Sequence, residues 1–420
     1  MVKLGESMEN LKINFKGFYL DNGFKIIFVK KKCNFFNLSF GVKVGSAYEC
    51  DTERGFSHFV EHMLFRSNFK FSDTQVNKII EFLGGDFNAF TDYGSTNFSV
   101  NGLSDDIEKA VELLSNMVMK PKFDSKEIDI EREIILSEID SCNSNYEDYS
   151  FIKLNKEAFE KSHLKYDVAG TKEIIKSLTN QDLIDFHKKY YVPSNCYMVV
   201  IGYYDENYIV NLLKKYFNSW QNKAVLHNDF IIESNIPKFI VTDKSDLELS
   251  TITYLFTFKE LRQHEKIFLK IAEYKLGGSS NSILFKKIRE EEGLAYDVYT
   301  QLELSDEFKG MYIFCATNVN NIDKVKNIIE DCIEDIKKFK SHFDEYNLQL
   351  MKKLQLISIY STLDDNEKLG MYILDKMISN REIDTYLKDL LMIENISADE
   401  LTNVCRKYFN NPTIHILRRK

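Results

Sequence analysis

Residues 54–67 read RGFSHFVEHMLFRS, with His58 and His62 four apart and Glu61 between them. On a helix, residues at that spacing stand one turn above each other on the same face. A helix here therefore aims two imidazoles at one spot and sets a carboxylate beside them. Two neutral imidazoles so placed are half of a tetrahedral zinc site. The order H-x-x-E-H is also the reverse of the H-E-x-x-H helix of zinc peptidases. The same five residues suit an ordinary solvated helix face, so the pattern alone leaves both readings open.

The chain around this stretch has 420 residues, enough for two or three domains with proper cores. With 44% hydrophobic and 28% charged residues it reads as a soluble globular protein. A net charge of -9 and the lack of a sustained basic stripe argue against nucleic acid as a partner. The opening MVKLGESMENLKINF has no apolar core of signal-peptide length, and no later segment stays apolar for about 18 residues. Neither export nor membrane insertion is expected. Seven cysteines, an odd number without a C-x-x-C, fit thiols in a reducing cytoplasm better than a disulfide framework or a zinc knuckle.

Along the chain, alternation across residues 15–28 with Asp21-Asn22-Gly23 at the turn predicts a β-hairpin, and residues 36–44 another strand. Residues 72–83 read as a helix closed by Gly84-Gly85, and residues 86–100 as two strands. Ser104-Asp105-Asp106 caps a helix to about Met119. A long helix starts at Asp124-Ser125, breaks at residues 142–146, and gives way to another over about residues 149–161. Thr179 and Asp182 make a capping box for a helix to Tyr190, and residues 196–202 form a buried strand.

The second half repeats this plan. LTNQDL (178–183) returns as ISADEL (396–401), and DIEKAV (106–111) as NIDKVK (321–326). Two matches in the same order, at nearly the same spacing, argue for a duplicated domain. The expected division is residues 1–220, a linker at 221–237, and residues 238–420. No second H-x-x-E-H occurs, so one copy carries the candidate chemistry and the other does something else.

A catalytic zinc needs a third protein ligand and an open fourth position. The long helix offers Glu131, Glu133 and Glu138. Glu131 and Glu138 are seven apart and share a face, whereas Glu133 reads as a solvated charge. HFVEH followed by EREIILSE (131–138) resembles the pitrilysin and mitochondrial processing peptidase family of zinc metallopeptidases, in its short, insulinase-like, two-domain form. The resemblance makes Glu138, 76 residues beyond His62, the third ligand, and Glu131 the supporting carboxylate that orients a ligand histidine. GGDFNAFT (84–91) resembles the family strand that pairs with substrate backbone, which puts Asn88 and Ala89 against the peptide. LGGSSNS (276–282) with Ile288-Arg289 and GLAY (293–296) resembles the segment whose Arg289 and Tyr296 reach the peptide from the facing domain. HLKYDVAGTKEI (163–174) fits as well. Arg66-Ser67, where Lys-Gly is common, and Val60 for Leu are small departures.

The resemblance implies an α+β fold of two homologous domains, each a mainly antiparallel sheet with helices on one face, together forming half of a clamshell. It implies a zinc endopeptidase with one Zn²⁺ per chain on His58, His62 and Glu138, and Glu61 as general base. Peptides would be cut inside a chamber closed by two chains, most simply a homodimer. Other readings stay open at this point: a dedicated precursor-maturation protease, half of a heterodimer, or a non-catalytic structural subunit.

Overall fold

The structure, a computed structural model, describes residues 11–245 and 247–420. The expectation that no export signal is present falls largely on residues 1–10, which lie outside the described residues. None of the described helices is long and apolar enough to cross a membrane.

Eleven strands among the described residues make two sheets. The first contains β1 (Phe15–Tyr19), β2 (Lys25–Lys30), β3 (Phe35–Val42), β4 (Phe87–Thr91), β5 (Thr96–Leu103) and β6 (Cys196–Gly202). Its order is β1-β2-β6-β3-β5-β4. The second contains β7 (Lys238–Lys244), β8 (Ser250–Thr257), β9 (Ala295–Leu304), β10 (Lys309–Thr317) and β11 (Thr413–Arg419), in the order β7-β11-β8-β10-β9. The helices that seat these sheets and build the site are α1 (Phe56–Leu64), α2 (Asp73–Phe82), α3 (Ile107–Met119), α4 (Ser125–Ser144), α5 (Tyr146–Ala158), α6 (Asn180–Tyr190), α7 (Glu265–Leu276), α8 (Ile322–Lys338), α9 (Asn366–Ile378) and α10 (Ala398–Tyr408).

The duplication is visible in strand pairing. Each sheet has one parallel pair, β2 with β6 and β7 with β11, and antiparallel pairing elsewhere. From those pairs outward the orders coincide strand for strand, and the first sheet adds β1 at its edge. The repeated sequence signals fall on equivalent helices. Thr179 with Asp182 closes a capping box on α6, and Ser397 with Glu400 does the same on α10. DIEKAV opens α3 and NIDKVK opens α8.

The compact units are not contiguous halves. One comprises residues up to Glu138, Val168–Asp229 and Ile357–Leu387; the other comprises Ile139–Asp167, Phe230–Leu356 and Lys388–Lys420. The expected division at 1–220 and 238–420 therefore does not describe them, because each half contributes a helix to the opposite sheet. In the first unit α9 packs on β3 and β6. There β3 presents Asn37, Ser39 and Gly41, and a Cβ on Gly370 would fall 2.3 Å from Asn37 Oδ1, so only a glycine lets the helix sit this close. In the second unit α5 lies on β8 and β11, stacking Phe151 on Phe314 and taking a 2.9 Å bond from the Tyr312 hydroxyl to Asn155 Oδ1. The expected helix layer on one face is thus joined by a helix on the other. The break between α4 and α5 also shrinks to Asn145, whose side chain caps α5 through Glu147 N (2.8 Å) and Asp148 N (3.2 Å).

Each unit has its own core. Phe24, Phe40, Phe98, Phe217 and Trp220 cluster in the first. Ile252, Tyr254 and Phe256 of β8 join residues of α7, α8 and α10 in the second.

Candidate metal centre

Helix α1 is seated by burial of Phe56, Phe59, Val60, Met63 and Leu64, which turns His58 and His62 to the opposite, half-buried side. Its start is set by backbone geometry. Gly55 takes φ +96°, and a Cβ there would meet the Ala169 carbonyl at 2.6 Å. The buried Glu49 carboxylate accepts from Gly55 N (2.8 Å) and Ser57 N (2.7 Å), satisfying first-turn donors that α1 leaves open. Burial pushes the Glu49 carboxyl up to about 7, against the pull of those bonds.

The imidazoles of His58 and His62 stand 4.6 Å apart between ring centroids. Glu138 Oε2 lies 3.7 Å from His62 Nε2 and 4.0 Å from His58 Nε2, and one ligand atom from each of the three falls within 4.8 Å of the others. His62 Nδ1 donates to Glu131 Oε2 at 2.9 Å, which turns Nε2 toward Glu138. Glu131 is 4% exposed, and its other oxygen accepts from Arg66 Nε. Glu61 is buried beside the histidines and accepts from the Thr91 hydroxyl at 2.6 Å.

Burial and the neighbouring His62 push His58 down to about 4, so it stands neutral at ordinary pH. Burial also pulls on His62, but its bond to Glu131 and the charges of Glu138, Glu131 and Glu61 outweigh this and raise it. Burial raises the Glu61 carboxyl, opposed by the Thr91 bond.

These residues fit a zinc ion. Bonds of about 2.0–2.2 Å to a tetrahedral centre separate ligand atoms by roughly 3.3–3.6 Å. The donors here stand slightly wider, within reach of a small side-chain adjustment. Three carboxylates crowd two imidazoles, an excess of negative charge that a cation would offset.

The structure thus brings His58, Glu61, His62, Glu131 and Glu138 together. Asn88 and Ala89 lie on the edge strand β4; Asn88 is exposed and donates to Asp86 Oδ1 at 3.0 Å, and Ala89 is half-buried. Arg289 and Tyr296 lie in the second unit and meet each other: Arg289 Nη1 donates to the Tyr296 carbonyl at 2.8 Å, and its guanidinium sits 4.6 Å from the Tyr296 ring. Arg289 stands on a π-helix, Phe285–Glu291, and Tyr296 is 72% exposed near the start of the edge strand β9. Sequence reasoning missed three contributors: Glu49, Thr91 as partner of Glu61, and Arg66. Only Arg66 carried a signal, as part of a departure from the common motif.

Comparison with known proteins finds relatives along most of the chain. A family model described as "Insulinase (Peptidase family M16)" matches residues 26–172, and one described as "Peptidase M16 inactive domain" matches residues 177–354. An "Uncharacterized zinc protease" of Rickettsia felis is 27% identical over 379 residues, 88% of this chain and 89% of its own length. The beta subunit of the mitochondrial-processing peptidase of Caenorhabditis elegans is 21% identical over 406 residues, 93% of this chain and 86% of its own. Among solved structures, a protease from Helicobacter pylori superposes with a TM-score of 0.90 at 19% identity, covering 97% of this chain and 99% of its own. The periplasmic protease PqqL from Escherichia coli matches 97% of this chain but 48% of its own, with a TM-score of 0.78 at 17% identity.

Proposed function

Since this chain belongs to the insulinase family of peptidases, family M16, we propose that it is a zinc-dependent endopeptidase acting on short or unfolded peptides. The observation that carries this reading is the convergence of His58, His62 and Glu138, with Glu61 buried beside them. Those three residues would hold zinc, which would supply Lewis acidity for the water and the scissile carbonyl.

The rest of the reaction falls to the chain's own groups. Glu61 takes a proton from the attacking water and hands it to the leaving amine. Thr91 occupies one carboxylate oxygen and fixes the orientation of the group. Glu131 holds the His62 ring in place. The open edge of β4, at Asn88 and Ala89, pairs with an extended substrate backbone. Arg289 and Tyr296 supply donors toward the oxygen that gains charge. Stripping the metal with a chelator is expected to abolish hydrolysis of a mixed peptide set, and one zinc per chain to restore it. Hydrolysis that survives full metal removal rules the reading out.

Two chains, we infer, close around the substrate as a homodimer, with Arg289 and Tyr296 serving the partner's metal centre. Mixing equal amounts of Glu61→Gln and Arg289→Ala chains is then expected to restore about a quarter of wild-type activity, since half the dimers are mixed and each carries one intact site. Mixtures no more active than their components argue against the exchange. Seven free cysteines favour a reducing, cytoplasmic setting.

A further inference from the structure

Helix α4 carries Glu138 yet has a thin apolar seat: of its 20 residues, Ile128, Glu131 and Ile135 are buried. Its position against α1 must therefore owe much to polar contacts. Two of these come from adjacent residues just past α1. Ser67 Oγ donates to Glu127 Oε2 at 2.6 Å, and Arg66 Nε donates to Glu131 Oε1. Glu127, Glu131 and Glu138 share one face of α4, because offsets of 4, 7 and 11 all return to nearly the same direction. The Arg66 guanidinium is also held from behind, with Nη1 3.4 Å from Asp73 Oδ1 at the start of α2.

We propose that Arg66 and Ser67 are positioning residues that clamp α4 in register with α1 and so set how tightly the His58–His62–Glu138 triad holds its metal. The inference rests on the zinc-peptidase reading above. Arg66 acts through Glu131, whose second oxygen orients the His62 ring. Ser67 acts through Glu127, one turn earlier on the same helix. Arginine matters here because its planar fork spans Glu131 and Asp73 together, whereas lysine offers a single point charge.

The test is zinc affinity by chelator competition, read beside the melting midpoint of the zinc-free protein. Arg66→Met is expected to weaken zinc binding about 10- to 100-fold, with Arg66→Lys falling between it and the parent. Ser67→Ala should weaken it about 3- to 10-fold. Ser67→Ala should move the zinc-free midpoint by no more than about 3 °C, whereas Arg66→Met should lower it further, because the buried Glu131 loses a cationic partner. The double variant should depart from the product of the single effects, because both contacts hold one helix. Folded Arg66→Met protein that binds zinc as the parent does overturns the clamp. If that variant does not fold, parental affinity in Ser67→Ala overturns it equally. A parent protein that takes up no zinc overturns the peptidase reading instead, and so separates the two failures.

Discussion

Glu61→Gln is expected to leave zinc in place and cut kcat/KM for peptide hydrolysis by about 10³- to 10⁴-fold. The substitution keeps the shape of the side chain and an oxygen for the Thr91 hydroxyl, so the local structure has little reason to move. What it removes is the ability to accept a proton. Loss of a well-placed general base costs about 10²- to 10⁴-fold; a buried carboxyl whose proton affinity is raised sits in the upper part of that range. A fall of 10³ to 10⁴ corresponds to about 4–5 kcal/mol of lost transition-state stabilisation. The measurement pairs steady-state kinetics with metal analysis of the same preparation. Activity above one tenth of the parent, with zinc still bound, would mean that another group takes the proton.

Glu138→Ala is expected to give the complementary result: zinc itself is lost, and activity with it, while Glu61 remains intact. Glu138 is the one ligand supplied by α4, and its side chain is 44% exposed, so truncation opens no core cavity. Two imidazoles then remain at 4.6 Å, with no third donor. The expected loss of zinc affinity exceeds the roughly 10- to 100-fold typical of a supporting partner. The zinc-free melting midpoint should stay close to that of the parent. Zinc retained at one equivalent after dialysis would show that the ion is held elsewhere. Together the two variants separate binding from chemistry: one keeps the metal without turnover, and the other loses both.

Some features were legible in the chain because the forces behind them act within a few residues. The His58/His62 pair faces one way by helical periodicity alone. Thr179 with Asp182, and Ser397 with Glu400, close their capping boxes over three residues of backbone. Gly23 turns the first hairpin at φ +88°, and Gly84 and Gly85 end α2 at positive φ. The duplication could be read because two copies of one fold preserve the same local signals in the same order.

Other features depend on side chains that meet only once the core has formed. Helical spacing left Glu131 and Glu138 on one face but did not say which would face the histidines; α4 answers this by burying Glu131 against His62 and leaving Glu138 half-exposed above both rings. Thr91 reaches Glu61 because β4 pairs with β5 next to α1, and Arg66 reaches Glu131 across 65 residues of chain. The exchange of α5 and α9 is likewise absent from any local pattern, since each helix is equally amphipathic wherever it docks. Which sheet receives it depends on the complementary shape of the face it covers, such as the Asn37, Ser39 and Gly41 surface beneath Gly370. Backbone periodicity is written into neighbouring residues, but contacts between distant ones arise from close packing, where shape and charge are matched only in the assembled core.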